Sequence, residues 1–426
     1  MFDKSQERLL ETLKIIPLAS QTFSKSYIQY PEKAAPLFAR KARGSRIWDI
    51  DGNEFIDFVN GLFCVSLGYC DPDVNEAVKK QLEKGSIFSL AAELEGRLAA
   101  KLVELIPCAE MVRYGKNGSD ATTGAIRIAR AYTGRDRVAC CGYHGWHDWY
   151  IGSTTRNKGI PKAVCELTQT FSYNDLKSLD AVLAEHPGEF AAVIMEPTSL
   201  VAPGEGFLSG VKELAHRHGA ILIFDEIVTG FHWHLGGAQA YYSVIPDLAT
   251  FGKAMANGFP ISAVVGRKEI MKEVEDIFYS FTFGGDTIAL AAALATIEKM
   301  EREPVIETCW ATGSQVIDGV NKRIATHGLT DVLKLLGSPP WTVFEFSECA
   351  GATSWEIKSF FLQEAIKRGI LSIGSHNISF AHSNEDIACL MTVYDEVFPL
   401  VKQVVERGDI RSELAGKPIE PLFKVR

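Results

Sequence analysis

Short apolar runs alternate with helix-patterned segments through the middle of the chain. Strands are predicted at 111–114, 137–141, 191–195, 220–224 and 263–265. Helices are predicted at 73–82, 91–105 and 121–132, and at VKELAHRHG, which ends at Gly219, a residue type favoured just past a helix C-terminus. All-apolar strands that alternate with helices are typical of a mostly parallel sheet covered on both faces. The predicted fold class is therefore α/β.

The two ends of the chain have a different pattern. Near the start, RIWDIDGNEFIDFV alternates apolar and polar residues around Asp51 and Gly52, which predicts a β-hairpin after a short N-terminal helix. Beyond about residue 300, long helical segments at 304–327 and 354–368 flank a strand candidate, WTVFEFS. We expect a smaller α+β domain there, completed by the hairpin. The expected organisation is 1–60 for the N-terminal helix and hairpin, 61–299 for the large domain and 300–426 for the small domain.

Composition narrows the class of protein. The chain has 426 residues, of which 46% are hydrophobic and 23% charged, and its net charge of -9 argues against a nucleic-acid partner. Nine cysteines without a CxxC spacing suggest neither a zinc ribbon nor a disulfide framework. The N-terminus lacks a signal peptide, and the apolar stretch IALAAALATI is too short to cross a membrane. We expect a soluble, cytoplasmic protein.

Three polar signals stand where ligands bind in open α/β sheets, beyond the C-terminal ends of the strands. In KNGSDATTG, Gly118 and Ser119 open a helix, whose free amides and dipole favour an anion, although Ser119 or Asp120 could simply cap that helix. The apolar run ILIFD ends in Asp225. In FGKAMANGFP, Lys253 lies between a glycine and small residues. The alternative interpretation is that Lys253 is an ordinary solvent-exposed lysine.

Together the three signals point to one cofactor. An anion site, a carboxylate to keep a ring nitrogen protonated and a lysine for a Schiff base are what pyridoxal phosphate requires. The strand that ends in Asp225 also resembles the acidic strand of an ATPase. The chain has no GxxxxGK[ST] loop, which argues against nucleotide hydrolysis.

From about residue 36 to 386 the chain resembles the class III pyridoxal-phosphate aminotransferases, most closely their glutamate-1-semialdehyde aminomutase branch. The resemblance rests on the KNGSDA turn, GYHGWH, MEP, FDEIVTGF, LGGAQAYY, PDLATFGKAMANGFP and FTFGGDTIALAAALATIE. It implies a fold-type I pyridoxal-phosphate transferase and a homodimer with shared active sites. It further implies that Lys253 forms the Schiff base and then carries a proton between Cα and C4′, while Asp225 pairs with the pyridine nitrogen.

The resemblance also implies cofactor contacts. Gly118 and Ser119 match residues that hold the phosphate, and Thr282 matches a threonine that reaches the phosphate from the other subunit. Tyr143 matches the aromatic residue stacked on one ring face and Ile227 the apolar residue on the other. For Tyr143 and Ile227, ordinary core packing is the alternative.

Three segments depart from the aminomutase pattern, and all three are expected to face the substrate. Ser24-Lys25-Ser26-Tyr27 places Tyr27 where the branch has an arginine that grips the substrate carboxylate. SIGSHNISFAHS is shorter and lacks the glutamate of a phenylalanine-glutamate-alanine loop, and TGF continues with histidine, where related enzymes often have arginine. The candidate substrate-binding residues are Tyr27, His147, His232 and His376, with Lys116 as a further candidate. His144 with His147, or His232 with His234, could suggest a metal site. No metal is expected, because no carboxylate or cysteine cluster accompanies either pair.

The predicted function is transfer of an amino group from an amino-acid donor to an aldehyde or ketone acceptor, a keto-sugar among them, through the Lys253 Schiff base. The alternatives on the same scaffold are an intramolecular aminomutase and an amino-acid racemase or epimerase. A carbohydrate- or nucleotide-binding protein without turnover is a further alternative, against which the set of Lys253, Asp225 and Ser119 argues.

Overall fold

The computed structural model describes residues 1–421, which form two compact units. The small unit comprises Met1–Asp71 and the described residues from Glu307 onward, and the large unit comprises Pro72–Ile306. The chain therefore leaves the small unit once, builds the large unit and returns. No helix within residues 1–421 is long and apolar enough to cross a membrane.

The N-terminal part of the small unit is a helix and three strands. Its elements are α1 Asp3–Thr12, β1 Ala39–Arg43, β2 Arg46–Asp49, β3 Glu54–Asp57 and the single turn α2 Asn60–Phe63. Strands β2 and β3 pair antiparallel, with Ile47 opposite Phe55, so the predicted hairpin is confirmed. Its turn residue Asp51 accepts hydrogen bonds from the backbone N–H groups of Lys4 (2.7 Å) and Ser5 (3.0 Å), and thereby caps α1.

The large unit is built on one sheet. Its strands are β4 Met111–Gly115, β5 Arg137–Cys141, β6 Thr168–Thr170, β7 Phe190–Met195, β8 Ile221–Asp225, β9 Leu248–Phe251 and β10 Ser262–Gly266. The seven strands lie in the order β4-β10-β9-β8-β7-β5-β6, and β10 alone runs antiparallel to its neighbours. Every residue of β7 to β10 is buried, which explains why these strands are mostly apolar in sequence.

Helices fill the connections of the large unit. They are α3 Pro72–Leu82, α4 Glu93–Leu105, α5 Gly118–Thr133, α6 Asp148–Ile151, α7 Lys162–Cys165, α8 Leu176–Glu185, α9 Phe207–Arg217, α10 Ala238–Tyr241, α11 Lys268–Met271 and α12 Thr287–Arg302. The predicted helices at 73–82, 91–105 and 121–132 are confirmed within a few residues. The glycine predicted to close VKELAHRHG, Gly219, has φ of 69° just beyond α9.

The chain completes the small unit after α12. Its remaining elements are α13 Val305–Thr326, β11 Leu333–Ser338, β12 Trp341–Phe346, α14 Ser354–Lys367, β13 Ile370–Leu371, β14 Ser375–Asn377, α15 Asn384–Arg407 and α16 Ile410–Glu413. Strands β11, β12 and β14 form an antiparallel sheet. Strand β13 pairs parallel with β3, with Ile370 opposite Ile56, so the two ends of the chain share a sheet.

A glycine in α5 fixes the segment that precedes α12. A Cβ atom at Gly124 would stand 2.2 Å from the Tyr279 ring, so only glycine lets that ring lie against the helix. The Tyr279 hydroxyl donates to the Asp120 carbonyl (3.2 Å), and Arg113 donates to the Tyr279 carbonyl through Nη2 (2.9 Å). The path of residues 279–286 therefore depends on a notch in α5.

We expect Gly124→Ala to lower the free energy of unfolding by about 1–3 kcal/mol, because the added methyl must displace a buried tyrosine. The matched control is Gly96→Ala in α4, where an added Cβ meets no atom within 4 Å. That change should leave stability unaltered or raise it by up to roughly 1 kcal/mol. Guanidinium unfolding of both variants checks this, and equal free energies would contradict the role of the notch.

Candidate active site

The carboxylate of Asp225 lies at the C-terminal end of β8 and is almost fully buried, with 3% of the residue exposed. Its Oδ2 is 2.8 Å from His144 Nδ1. Its Oδ1 accepts hydrogen bonds from the Thr250 hydroxyl (3.0 Å) and the Ile227 backbone N–H (3.1 Å). These contacts hold the side chain at the sheet edge where α/β proteins bind ligands.

The imidazole of His144 is enclosed between two acceptors. Nδ1 faces Asp225, and Nε2 is 3.1 Å from the Cys141 carbonyl oxygen. Each ring nitrogen of His144 thus faces an oxygen atom, and the contact through Nδ1 gives the buried Asp225 carboxyl group a polar partner. The sequence suggested His144 only as half of a metal pair. His144 follows β5, whose C-terminal end lies at the same edge of the sheet as the end of β8. That position was the signal for a site residue, and it was missed.

A second buried carboxyl, Glu196, directly follows β7. Its Oε2 accepts a hydrogen bond from the Tyr143 backbone N–H (3.1 Å). Burial raises the pKa of Glu196, and the negative charge of Asp225 raises it further. A Cβ at Gly142, whose φ is 109°, would stand 2.5 Å from that oxygen, so the turn after β5 requires glycine. Glu196 lies in the MEP motif, and no role for it could be inferred from the sequence.

The start of α5 presents amides and a hydroxyl. The helix is capped by the Asp120 side chain, which accepts from the backbone N–H groups of Lys116 (2.9 Å) and Asn117 (2.8 Å). The capping role thus belongs to Asp120, while the Ser119 hydroxyl accepts from the Trp146 backbone N–H (3.3 Å). The amides of Gly118 and Ser119 belong to the first turn, where backbone N–H groups have no intrahelical acceptor.

Lys253 follows β9 in a strained conformation. Its φ of 42° lies in the left-handed region, which residues with a side chain rarely adopt. A Cβ at the preceding Gly252 would stand 3.1 Å from Ile227 Cδ1, and one at Gly118 would stand 3.2 Å from Ile227 Cγ2. Ile227 therefore packs against both glycines and brings the Lys253 segment next to the start of α5.

The residues fit pyridoxal phosphate. The set contains an anion-binding helix start, a buried carboxylate, an amine, and two glycines that leave room beside Ile227. Within residues 1–421, the buried Ser262 hydroxyl has no hydrogen-bond partner, and its Cβ lies 3.7 Å from where a Cβ at Gly252 would stand. An unpartnered hydroxyl beside the lysine segment is consistent with a polar ligand at this place.

Two further predicted cofactor contacts lie on more open parts of the large unit. Tyr143 is about half exposed, and burial of the rest, with the charges of Asp225 and Glu196, raises its pKa. Its ring meets Tyr150 edge-on, with centroids 5.6 Å apart. Thr282 is exposed in the turn before α12.

The substrate candidates of the large unit fall in different environments. His232 is buried with its Nδ1 2.7 Å from the Val228 carbonyl, and burial lowers its pKa to about 3. The charge of Lys253 also lowers the pKa of His232. His147 bonds the Thr123 hydroxyl through Nδ1 (2.7 Å), and Lys116 forms an ion pair with Asp286 (2.8 Å).

The candidates of the small unit also differ from each other. His376 is fully buried, and its ring nitrogens bond the Thr342 hydroxyl (2.9 Å) and the Tyr394 hydroxyl (2.7 Å). Burial lowers its pKa to about 3. Both ring nitrogens are used by neighbours in the core, and a contact of His376 with the substrate stays a prediction. Tyr27 is half-buried in a short turn, Tyr27–Gln29.

Comparison with known proteins places this site in a family. The family model for class III aminotransferases matches residues 27–383. The chain belongs to the class III aminotransferases. Its class III relatives include the 3-aminobutyryl-CoA aminotransferase of Cloacimonas acidaminovorans, which is 37% identical over 87% of this chain and 91% of the relative. The glutamate-1-semialdehyde 2,1-aminomutase of Syntrophobacter fumaroxidans is 35% identical over 87% of this chain and 92% of the relative.

Solved structures agree with this class III assignment. The FumI protein of Sphingopyxis sp. MTA144, in a structure that contains PLP, matches with a TM-score of 0.88 and 27% identity over 94% of this chain and 97% of that one. An omega-transaminase from Sphaerobacter thermophilus matches with a TM-score of 0.85 and 26% identity over 93% of this chain and 98% of that one. The predicted fold class, family and cofactor are confirmed, and the chain is a pyridoxal-phosphate-dependent enzyme.

Proposed function

We propose that this class III aminotransferase moves an amino group between a 3-aminoacyl thioester and a small keto acid. The observation that carries the proposal is Tyr27, a neutral phenol at the position where the aminomutase branch has its carboxylate-gripping arginine. A guanidinium binds a carboxylate through two parallel hydrogen bonds, and a phenol cannot replace it. A thioester has no free carboxylate and needs no such partner.

The large unit supplies a second, independent departure of the same kind. Related enzymes often have arginine where this chain has His232. Burial lowers the pKa of His232 to about 3, so the ring is uncharged at neutral pH. Two positions that are basic in relatives are therefore neutral here. The 37% identity to a 3-aminobutyryl-CoA aminotransferase supports a thioester substrate.

The proposed catalytic residues are Lys253 and Asp225. Bound pyridoxal phosphate supplies an aldehyde for the amine and a ring that withdraws electrons from the reacting carbon. Lys253 would be the amine that holds the cofactor, and when free it would be the base that moves the proton at the reacting carbon. Asp225 would favour a proton on the ring nitrogen, because a buried carboxylate favours a positive charge beside it.

The neighbours of Asp225 make this role practicable. Hydrogen bonds from His144, Thr250 and the Ile227 amide fix the position of the Asp225 carboxylate, so its negative charge stays at one place in the site. Burial and the negative charge of Asp225 raise the pKa of Glu196, which favours its uncharged form next to Asp225. Gly118 and Ser119 would hold the phosphate, with Tyr143 and Ile227 on the two ring faces.

A second candidate function is the intramolecular aminomutase reaction. The 35% identity to a glutamate-1-semialdehyde 2,1-aminomutase favours it. Such an enzyme requires no exogenous amino acceptor, whereas an aminotransferase stops after one half-reaction until an acceptor is added.

A half-reaction separates these candidates. We expect the holoenzyme, mixed with 3-aminobutyryl-CoA alone, to convert its cofactor stoichiometrically from the aldehyde to the amine form, followed by absorbance. Lys253→Ala should slow this conversion by roughly 10²–10⁴-fold, because it removes the proton-moving group. Lys272→Ala, an exposed lysine of the same unit, is the control and should convert normally.

Two outcomes would contradict the proposal. Conversion by free amino acids but not by the thioester would show that the substrate carboxylate must be free. Multiple turnovers of glutamate-1-semialdehyde without any acceptor would identify an aminomutase.

We also propose that two copies associate and share active sites. Large apolar side chains are exposed on two segments of the large unit, namely Ile87, Phe88, Leu90, Phe278 and Phe283. Thr287 joins these segments, since its hydroxyl donates to the Gly85 carbonyl (2.7 Å) and its amide to the Ser86 carbonyl (3.0 Å). An apolar surface of this kind typically marks a protein interface. Thr282 is exposed beside it, available to a second copy.

Sedimentation equilibrium of the holoenzyme should give the mass of two chains. The double change Phe88→Glu with Phe283→Glu should shift it toward one chain, because charged groups would be buried without partners. Tyr132→Glu, at an exposed aromatic elsewhere on the unit, is the control. Thr282→Ala should weaken cofactor binding without changing the mass. A single-chain mass for the unaltered protein would contradict the proposal.

A further inference from the structure

A cleft of about 590 Å³ lies along α5 in the large unit. Its polar and aromatic lining comes from α5, from the loop that follows β5 and from the start of α6, namely Thr123, Arg127, Arg130, Trp146, His147, Asp148 and Trp149. None of these residues has a proposed role at the cofactor. Asp148 is the one acidic side chain in the described lining.

A hydrogen-bond chain determines what His147 offers to the cleft. The Trp149 indole N–H donates to the Thr123 hydroxyl (2.9 Å), and that hydroxyl is 2.7 Å from His147 Nδ1. Among residues 1–421 the structure shows no other acceptor for the Thr123 hydroxyl proton, so Thr123 donates to Nδ1. The neutral ring then carries its own proton on Nε2 and is a hydrogen-bond donor.

The two arginines add positive charge without an ion-pair partner. Arg127 and Arg130 lie three residues apart on α5 and are neighbours on its surface. Arg127 Nη1 donates to the Phe278 carbonyl (2.7 Å) and Arg130 Nε to the Asp136 carbonyl (2.8 Å). In the described part of the chain, neither has a carboxylate within ion-pair distance. Burial lowers the pKa of Arg130; the charge of Asp136 partly offsets this effect, and the charge of Arg127 adds to it, so a further anion at the cleft would stabilise the pair.

An aromatic surface accompanies these donors. Trp146 is 66% exposed, which is unusual for so large an apolar side chain. Its ring meets His147 edge-on, with centroids 4.5 Å apart, so its position is defined. Exposed indoles provide a face on which nucleic bases stack. Donors for an anion next to a stacking surface are the features that recognise a nucleotide.

The cleft begins beside the proposed cofactor site. The Trp146 backbone N–H bonds the Ser119 hydroxyl (3.3 Å), at the start of α5. Arg127 and Arg130 lie eight and eleven residues farther along the helix, at about 12 and 17 Å from Ser119. A ligand that reacts at the cofactor and reaches the cleft therefore needs an extended arm. A CoA thioester has such an arm between its reacting acyl group and its phosphorylated adenosine.

We infer that this cleft binds the phosphorylated adenosine of a CoA thioester substrate, with Arg127, Arg130 and His147 at the phosphates and Trp146 against the adenine. The inference deepens the proposed function and rests on it. It assigns a binding site to residues that the cofactor chemistry leaves unused.

The test compares two thioesters with the same reacting group. The holoenzyme is assayed with 3-aminobutyryl-CoA and with the 3-aminobutyryl thioester of N-acetylcysteamine, which lacks the nucleotide. We expect Arg127→Gln to raise KM for the CoA thioester about 10-fold or more, the size of a lost charge-assisted hydrogen bond, with kcat unchanged. The truncated thioester should show no change in kcat/KM. The control is Arg217→Gln, which removes the same charge from an exposed position on α9.

A binding measurement keeps the inference testable if a variant is poorly folded or the thioesters are not substrates. Calorimetry of the holoenzyme with adenosine 3′,5′-bisphosphate should show binding that Trp146→Ala and Arg127→Gln each weaken. Such binding without thioester turnover would retain the cleft as a nucleotide site and reject the proposed function. Two results would overturn the inference. One is an equal fall in kcat/KM for both thioesters in Arg127→Gln, and the other is binding of inorganic phosphate that is as tight as binding of the bisphosphate.

Discussion

A carboxylate buried at the end of a parallel strand loses its water and is stable only where hydrogen bonds replace that water. Asp225 receives such bonds from His144, from the Thr250 hydroxyl and from the Ile227 amide. Each comes from a different part of the chain: the loop after β5, the strand β9, and the turn after β8. Satisfying one buried charge therefore fixes the relative positions of three segments that surround the proposed cofactor site.

Close backbone approach is the second requirement of this site. Ile227 packs where side chains at Gly118 and Gly252 would otherwise lie, and a Cβ at Gly145 would stand 2.2 Å from the Ser119 hydroxyl. Glycine at these positions lets the start of α5, the loop after β5 and the Lys253 segment converge. The positive φ of Lys253 is maintained by that packing, since an isolated lysine would not favour it.

The parts of the molecule that could be predicted are those that local pattern determines. The central strands were found because burial on both faces makes their sequences mostly apolar. Lys253, Asp225 and Ser119 were selected as site candidates because each stands at a strand or helix end. Strand β6, with the sequence TQT, and the four-residue strand β9 were missed because neither has a long apolar run. The 24-residue helix α15 was also missed; it contains Pro399, which ordinarily argues against a helix.

The remaining site residues depend on which strands are neighbours. His144 and Glu196 acquire their roles only because β5, β7 and β8 lie side by side, and the sequence does not specify that order. His376 became a candidate because the segment around it, SIGSHNISFAHS, departs from the aminomutase pattern where the substrate is expected. In the fold its ring is buried and forms hydrogen bonds with the Thr342 and Tyr394 hydroxyls, contacts that local sequence pattern does not indicate.

The most direct test of the proposed role of Asp225 is the protonation state of the cofactor nitrogen. Holoenzyme prepared with pyridoxal phosphate labelled with ¹⁵N in the ring would be examined by NMR from mildly acidic to mildly alkaline pH. We expect the chemical shift of a protonated nitrogen throughout for the unaltered enzyme, and that of an unprotonated nitrogen in Asp225→Ala. An unprotonated nitrogen in the unaltered enzyme, or a protonated one that persists in Asp225→Ala, would contradict the central role of this carboxylate.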